Sequence, residues 1–217
     1  MTLAARLLPE DPVNRRVLAT FLVLWAVSCI RVPYPEYFAM QHVPTVLALV
    51  ALVAVERRGD MDRLGFAFVV SFLILHLLGA RYLFSFVPYD DWSRRLFGVD
   101  ITSRFGLRRN HYDRLVHVCF GLLLTYPLAL FFRRRLNLVG WWPPILAVCM
   151  ILAASAVYEI FEWLAAMLFA PDWADAYNGQ QGDMWDAERD MACAAVGSIV
   201  AAIVIGLRGQ RQASLAV

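Results

Sequence analysis

The feature that most constrains this chain is a series of long apolar stretches, each closed by arginine, proline or a polar turn. Six occur, at residues 15–31, 38–55, 62–86, 111–132, 141–169 and 185–207. Each is near the ~20 residues that a helix needs to cross the hydrocarbon core of a bilayer. The first is brief, so its flanking arginines are expected to snorkel to the interfaces. The pattern predicts an all-α fold, a polytopic membrane helix bundle of about six transmembrane helices. The bundle forms one domain over residues 15–207, between an N-terminal arm (1–14) and a short tail (208–217). Composition agrees. The chain is 60% hydrophobic, against about 45–50% for a soluble domain, and its mean hydropathy is +0.57. No internal repeat is visible.

Every basic side chain is arginine, and the net charge of +2 is too small to suggest nucleic acid as a partner. Membrane lipids are the partners the composition implies. The arginines cluster between apolar runs, as topology signals do. With both termini cytoplasmic, the inner segments hold Arg15, Arg16, Arg57, Arg58, Arg63, Arg133, Arg134, Arg135 and Arg208. The segment 87–110 is the exception. Its aromatic and basic mixture suggests an interfacial cap. Trp141 and Trp142 would mark the inner interface, and Trp92, Trp173 and Trp185 the outer one. Pro171, Asn178, Gly179 and Gly182 predict a turn-rich loop. Cys29, Cys119, Cys149 and Cys193 lie in apolar runs without a CxxC pair and read as small buried hydrophobes. Ala26-Val27-Ser28-Cys29 faintly resembles a lipoprotein cleavage site. An uncleaved first helix fits better with five further apolar segments.

Ionisable groups inside these segments are the functional candidates. Each costs roughly 2.5–3.5 kcal/mol at a helix centre on insertion scales. Asp113 and His117 are spaced i,i+4, as are Asp186 and Asp190. Glu159 and Glu162 are spaced i,i+3, as are Asp183 and Asp186. Each pair therefore shares a helix face. With the expected topology, these groups and His76 all fall within about 15 Å of the outer boundary, at 1.5 Å per residue. Carboxylates and imidazoles projecting from facing helices are how bundles build metal sites. Asp113, His117, Glu159, Glu162, Asp183, Asp186, Asp190 and His76 are the candidate ligands. The ion would be divalent, with Mg, Mn, Zn and Ca all open. Glu159 or Glu162 would serve as general base. Arg81, Arg114 and Arg189 are candidates for binding substrate or an anion. Arg114 and Arg189 each adjoin an acid in sequence. They would point about 100° away from it and leave the cluster net negative.

Bland alternatives exist for each group. Asp113, Asp183 and Asp186 lie near helix N-termini, where acids suit the macrodipole. Asp190 can pair with arginine. A lone histidine on an apolar helix can be a hydrogen-bonded bundle residue. Three readings of the whole therefore stay open: a metal-dependent enzyme acting on a lipid or envelope precursor, a cation or proton transporter, and a structural polar network. The position near one interface, rather than at the midplane, favours the first over the second. No P-loop, GxGxxG, serine nucleophile motif or haem signature is present.

Five motifs taken together carry a resemblance. They are His76-Leu77-Leu78-Gly79-Ala80-Arg81-Tyr82, Val87-Pro88-Tyr89, Arg109 to His117, Tyr158-Glu159-Ile160-Phe161-Glu162-Trp163 and Gln181-Gly182-Asp183-Met184-Trp185-Asp186. They resemble the YjdF-type family of bacterial inner-membrane proteins over nearly the whole chain. The resemblance implies a multi-helix inner-membrane protein and supplies no activity. A more distant likeness to VanZ-like proteins rests on the order of an Asp-x-x-x-His helix start, a mid-helix Glu and a later Asp-bearing helix. It hints at the cell envelope.

Overall fold

The computed structural model describes residues 8–169 and 181–214. Nine helices are found among them: α1 (Pro12–Ser28), α2 (Pro35–Gln41), α3 (Val43–Arg57), α4 (Arg63–Arg81), α5 (Tyr89–Phe97), α6 (Ile101–Arg104), α7 (Tyr112–Leu136), α8 (Trp142–Phe169) and α9 (Asp186–Ser214). The expected loop turns at Pro171, Asn178 and Gly179, and the expected belt residue Trp173, lie outside the described residues.

Five stretches are long and apolar enough to cross a membrane: Phe38–Arg57, Arg63–Arg81, Tyr112–Leu136, Trp142–Leu168 and Asp186–Gln210. α2 and α3 join through His42 into the first of these. α1 has 17 residues, the lower end of the spanning range. It nevertheless runs the length of α4. At one end Asp11, which caps α1, meets Arg63 at 2.8 Å. At the other, the Arg81 guanidinium donates to the Ser28 carbonyl and, at 3.2 Å, to the Arg31 carbonyl. α1 therefore lies alongside α4, while the five longer stretches are the candidate spans by length and composition.

Local chemistry sets the ends. The Asp11 and Asp62 carboxylates accept from the Val13 and Gly65 amides, each at 2.7 Å, at the starts of α1 and α4. The buried Glu56 carboxylate accepts from the Glu10 and Asp11 amides, both at 2.9 Å, and so ties α3 to the head of α1. The third apolar helix was expected to reach residue 86 and stops at Arg81. Leu83 and Phe84 take left-handed backbone angles (φ 51° and 52°), and the Phe84 amide donates to the Gly79 carbonyl at 2.8 Å. The Phe84 ring lies where a Cβ on Gly79 would be, so only glycine leaves room for this fold-back. The expected cap over 87–110 contains the two short helices α5 and α6, closed by left-handed Gly98 and Gly106.

α7 is the centre of the bundle and packs against α4, α8 and α9. α1 and α3 lie outside, on α4, around a core of Leu18, Phe21, Leu52, Phe66, Val70 and Leu73. α7 and α9 come closest at Gly121 and Gly197. A Cβ on Gly121 would overlap the Ala194 carbonyl, and one on Gly197 would overlap the Val118 carbonyl. Small residues at the contact are what allow helix backbones this near one another in lipid. The cysteines are not core residues. All four are free, and Cys29 and Cys149 face outward. An apolar outer surface costs nothing against lipid, so an apolar run does not imply burial within the protein.

Candidate acid–histidine site

Three helix segments build the site: the start of α7, the C-terminal half of α8 and the start of α9. α7 begins where Asn110 turns the chain. Its side-chain oxygen accepts from the Tyr112 amide at 3.0 Å, and its amide group donates to the Val87 carbonyl at 2.8 Å. The Gln181 side chain then grips the Asn110 backbone from both sides, accepting from its N–H at 3.0 Å and donating to its carbonyl at 3.2 Å. This clamp fixes the segment before α9 against the head of α7. The Gly121–Gly197 crossing fixes the same two helices about three turns deeper.

The side chains form two layers. The mouth is an ion-pair network. Arg109 pairs with Asp186, and both side chains are buried. Arg114 donates to Asp183 at 2.8 Å and to Asp186 at 2.9 Å, and its Nε lies 3.7 Å from Asp190. Arg189 donates to Asp183 at 2.6 Å. Partial desolvation works against the ionised Asp183. The Trp185 N–H and the two guanidiniums outweigh it and hold the carboxyl below its ordinary value.

Beneath lies an acid–histidine layer. Asp113, His117 and Asp190 are all buried, and each offers a ligand atom within 4.8 Å of the others. The Asp113 and Asp190 carboxyls thus stand close together, an arrangement that a shared proton or a cation between them would relieve. His117 Nε2 is 3.7 Å from Asp113 and 3.4 Å from Glu159. Glu162 is buried one turn along α8, with the Tyr158 side chain as a partner. Among the described residues, His117 Nδ1, Glu159 Oε1, Asp190 Oδ1 and Asp186 Oδ2 are buried without a hydrogen-bond partner. Such atoms cost about 1–3 kcal/mol each, more when charged, unless something else satisfies them.

The structure thus brings together Asp113, His117, Glu159, Glu162, Asp183, Asp186 and Asp190. Three expectations need correction. His76 does not join the cluster. Its Nε2 contacts the Gln41 carbonyl at 3.1 Å, one of the carbonyls left open where α2 ends. Arg81 does not stand ready for an anion; it satisfies the carbonyls at the C-terminal end of α1. Arg114 and Arg189 serve acids as well. The angular argument placed Arg114 off the face of Asp113, which is correct, but its side chain reaches across to the acids of α9. Arg109, at the start of the Arg109 to His117 motif, was missed as a site residue, and so were Gln181 and the two glycines. A buried arginine at a helix head opposite unmatched acids was the available signal for Arg109. The glycines had none, because each becomes meaningful only against the other helix.

Fold and site together define a polytopic helical membrane protein with a buried acid–histidine centre at one end of its bundle. The chain belongs to the family described as predicted membrane protein (DUF2238), whose model matches residues 13–211. It is 30% identical over 167 residues to the Inner membrane protein YjdF of Escherichia coli (strain K12), covering 76% of each chain. No solved structure matches it. The family expected from the motifs is the one shown, and the protein is a multi-pass protein of the inner membrane.

Proposed function

We propose that this protein is a membrane-embedded metal-dependent enzyme acting on a lipid or envelope precursor. The observation that carries the reading is the Asp113, His117 and Asp190 group. Three buried ligand atoms converge within 4.8 Å, and Asp190 Oδ1 and His117 Nδ1 have no hydrogen-bond partner among the described residues. Two acids and an imidazole suit Mn, Zn or Mg, with Ca less well matched to a nitrogen ligand. A divalent ion there would polarise a phosphoryl or carbonyl oxygen, or favour ionisation of a bound water. Glu159, 3.4 Å from His117, is the group positioned to take up a proton, and Glu162 stands behind it. The mouth arginines hold Asp183 and Asp186, which leaves the deep acids free for a cation. With the Arg57, Arg63, Arg133 and Arg208 end in the cytoplasm, the site faces the outer leaflet.

The test is metal analysis of the detergent-purified protein beside His117→Ala, Glu159→Gln and Glu162→Gln. The parent should retain one divalent ion per chain, and chelation should lower its melting temperature. At a free metal concentration 100 times Kd, the ion stabilises by about 2.7 kcal/mol. His117→Ala should lose both the metal and the chelator response while still inserting. A parent that is metal-free, and melts identically with chelator and with added Mg, Mn, Zn or Ca, overturns the reading in favour of a structural network.

A further inference from the structure

A cavity of about 250 Å³ opens directly beneath the acid–histidine layer. Asp113 and His117 form its polar end. Val69, Phe72, Phe120 and Leu124 line much of the rest, whose exposed surface is almost wholly apolar although Thr45, His76 and Ser155 also border it. Along α7 it extends from Asp113 to Leu124, about 16 Å toward the middle of the bilayer at 1.5 Å per residue. Its side walls come from α3, through Thr45 and Ala48, and from α8, through Ala154 and Ser155. These two helices do not pack on each other. At the site end the gap between them is shut by Leu83, Met40 and Tyr34 against Ala165 and Ala166. The side left open is the one between these two helices, which faces lipid. Leu47 on α3 and Val157 on α8 are both mostly exposed, as a lipid-facing gap requires.

We propose that this cavity takes a hydrocarbon chain of a lipid, which enters between α3 and α8 and brings its polar head to Asp113 and His117. The assignment of the head rests on the enzymatic reading above; the seating of the chain does not. A water-soluble substrate would leave its polar groups unpaired along these walls. The cavity is smaller than the ~300–1,000 Å³ of a site that encloses a whole ligand. It holds part of one chain, and the remainder stays in the bilayer through the gap. Ala154 stands exposed at the mouth, so a large side chain there blocks the entrance without disturbing a packed core.

The experiment reconstitutes the full chain with phosphatidylglycerol carrying a diazirine at the end of one acyl chain, followed by photolysis and peptide mapping. In the parent, adducts are expected on the cavity walls at 69–73 and 120–124, as well as on the outward face of α9 at Val200 and Ile203. Ala154→Trp should abolish the wall adducts and leave those on α9 unchanged. Ala48→Phe, from the opposite wall, should do the same, and covers the case in which one variant folds poorly. Wall adducts missing from the parent, or undiminished in both variants, overturn the proposal. Metal content is measured on the same samples. Metal without wall adducts refutes the chain site alone, and wall adducts without metal refute the metal centre alone.

Discussion

Gly121→Ala adds one carbon at the point where α7 and α9 are backbone to backbone. That carbon would lie 2.6 Å from the Ser198 nitrogen, about 0.8 Å inside the 3.4 Å at which ordinary contact begins, and it would overlap the Ala194 carbonyl outright. Neither obstacle is a side chain that can rotate away, so the helices must part by about 1 Å. Overpacking of this kind costs about 1–3 kcal/mol. Alanine returns about 1 kcal/mol of helix propensity. The net loss, about 2 kcal/mol with immovable neighbours, corresponds to about 4–8 °C for a chain of this size. The same substitution at Gly209, also within α9, meets nothing within 4 Å and should be neutral or slightly stabilising. The consequence for the site is larger than that for stability. Asp190 lies one turn before Ala194, so opening the crossing draws it from Asp113 and His117. Productive geometry tolerates only about 0.5 Å. Melting in detergent and retained metal are the two readouts. Gly121→Ala melting at or above the parent, as Gly209→Ala does, would refute the close-crossing argument.

Two further expectations follow from the mouth and the ends of the bundle. Arg109→Met leaves Asp186 buried with Arg114 as its remaining ion-pair partner, which should cost about 3 kcal/mol; adding Asp186→Asn should recover most of the loss, and a single variant melting with the parent would contradict the pair's role. Reporter fusions at the C-terminus should be active only with cytoplasmic reporters, because the arginine-bearing ends of α3, α7 and α9 lie together; a periplasmic C-terminus reverses the leaflet assigned to the site.

What the sequence reveals here is whatever depends on one helix at a time. Apolar length locates the spans, and i,i+4 spacing places Asp113 with His117. A count of crossings carries each acid to the same end. What it conceals depends on two elements at once. His76 looks like a ligand because its partner, the Gln41 carbonyl, is backbone and has no sequence signature. Arg114 looks misdirected because helical angle describes the Cβ and not the reach of a long side chain to α9. Gly121 and Gly197 look like ordinary helix glycines until α7 meets α9. The cavity is a gap between α3 and α8, and a gap is written in no segment.

The separation of the two layers bears on which functional reading is stronger. Three guanidiniums stand at the mouth, and they bond Asp183 and Asp186. The deep layer holds four carboxyl groups, Asp113, Glu159, Glu162 and Asp190, and Arg114 Nε approaches it at 3.7 Å from Asp190 without a hydrogen bond. If cohesion were the only demand, basic or amide groups would be expected deeper, where an unpaired acid costs most. Instead the arginines close the top of the site, and the acids beneath face one imidazole and the apolar cavity. This arrangement stabilises the protein least where it concentrates most ligand atoms. The proposed cation would compensate for that, and the proposed lipid chain in the cavity would give the layer something to act on.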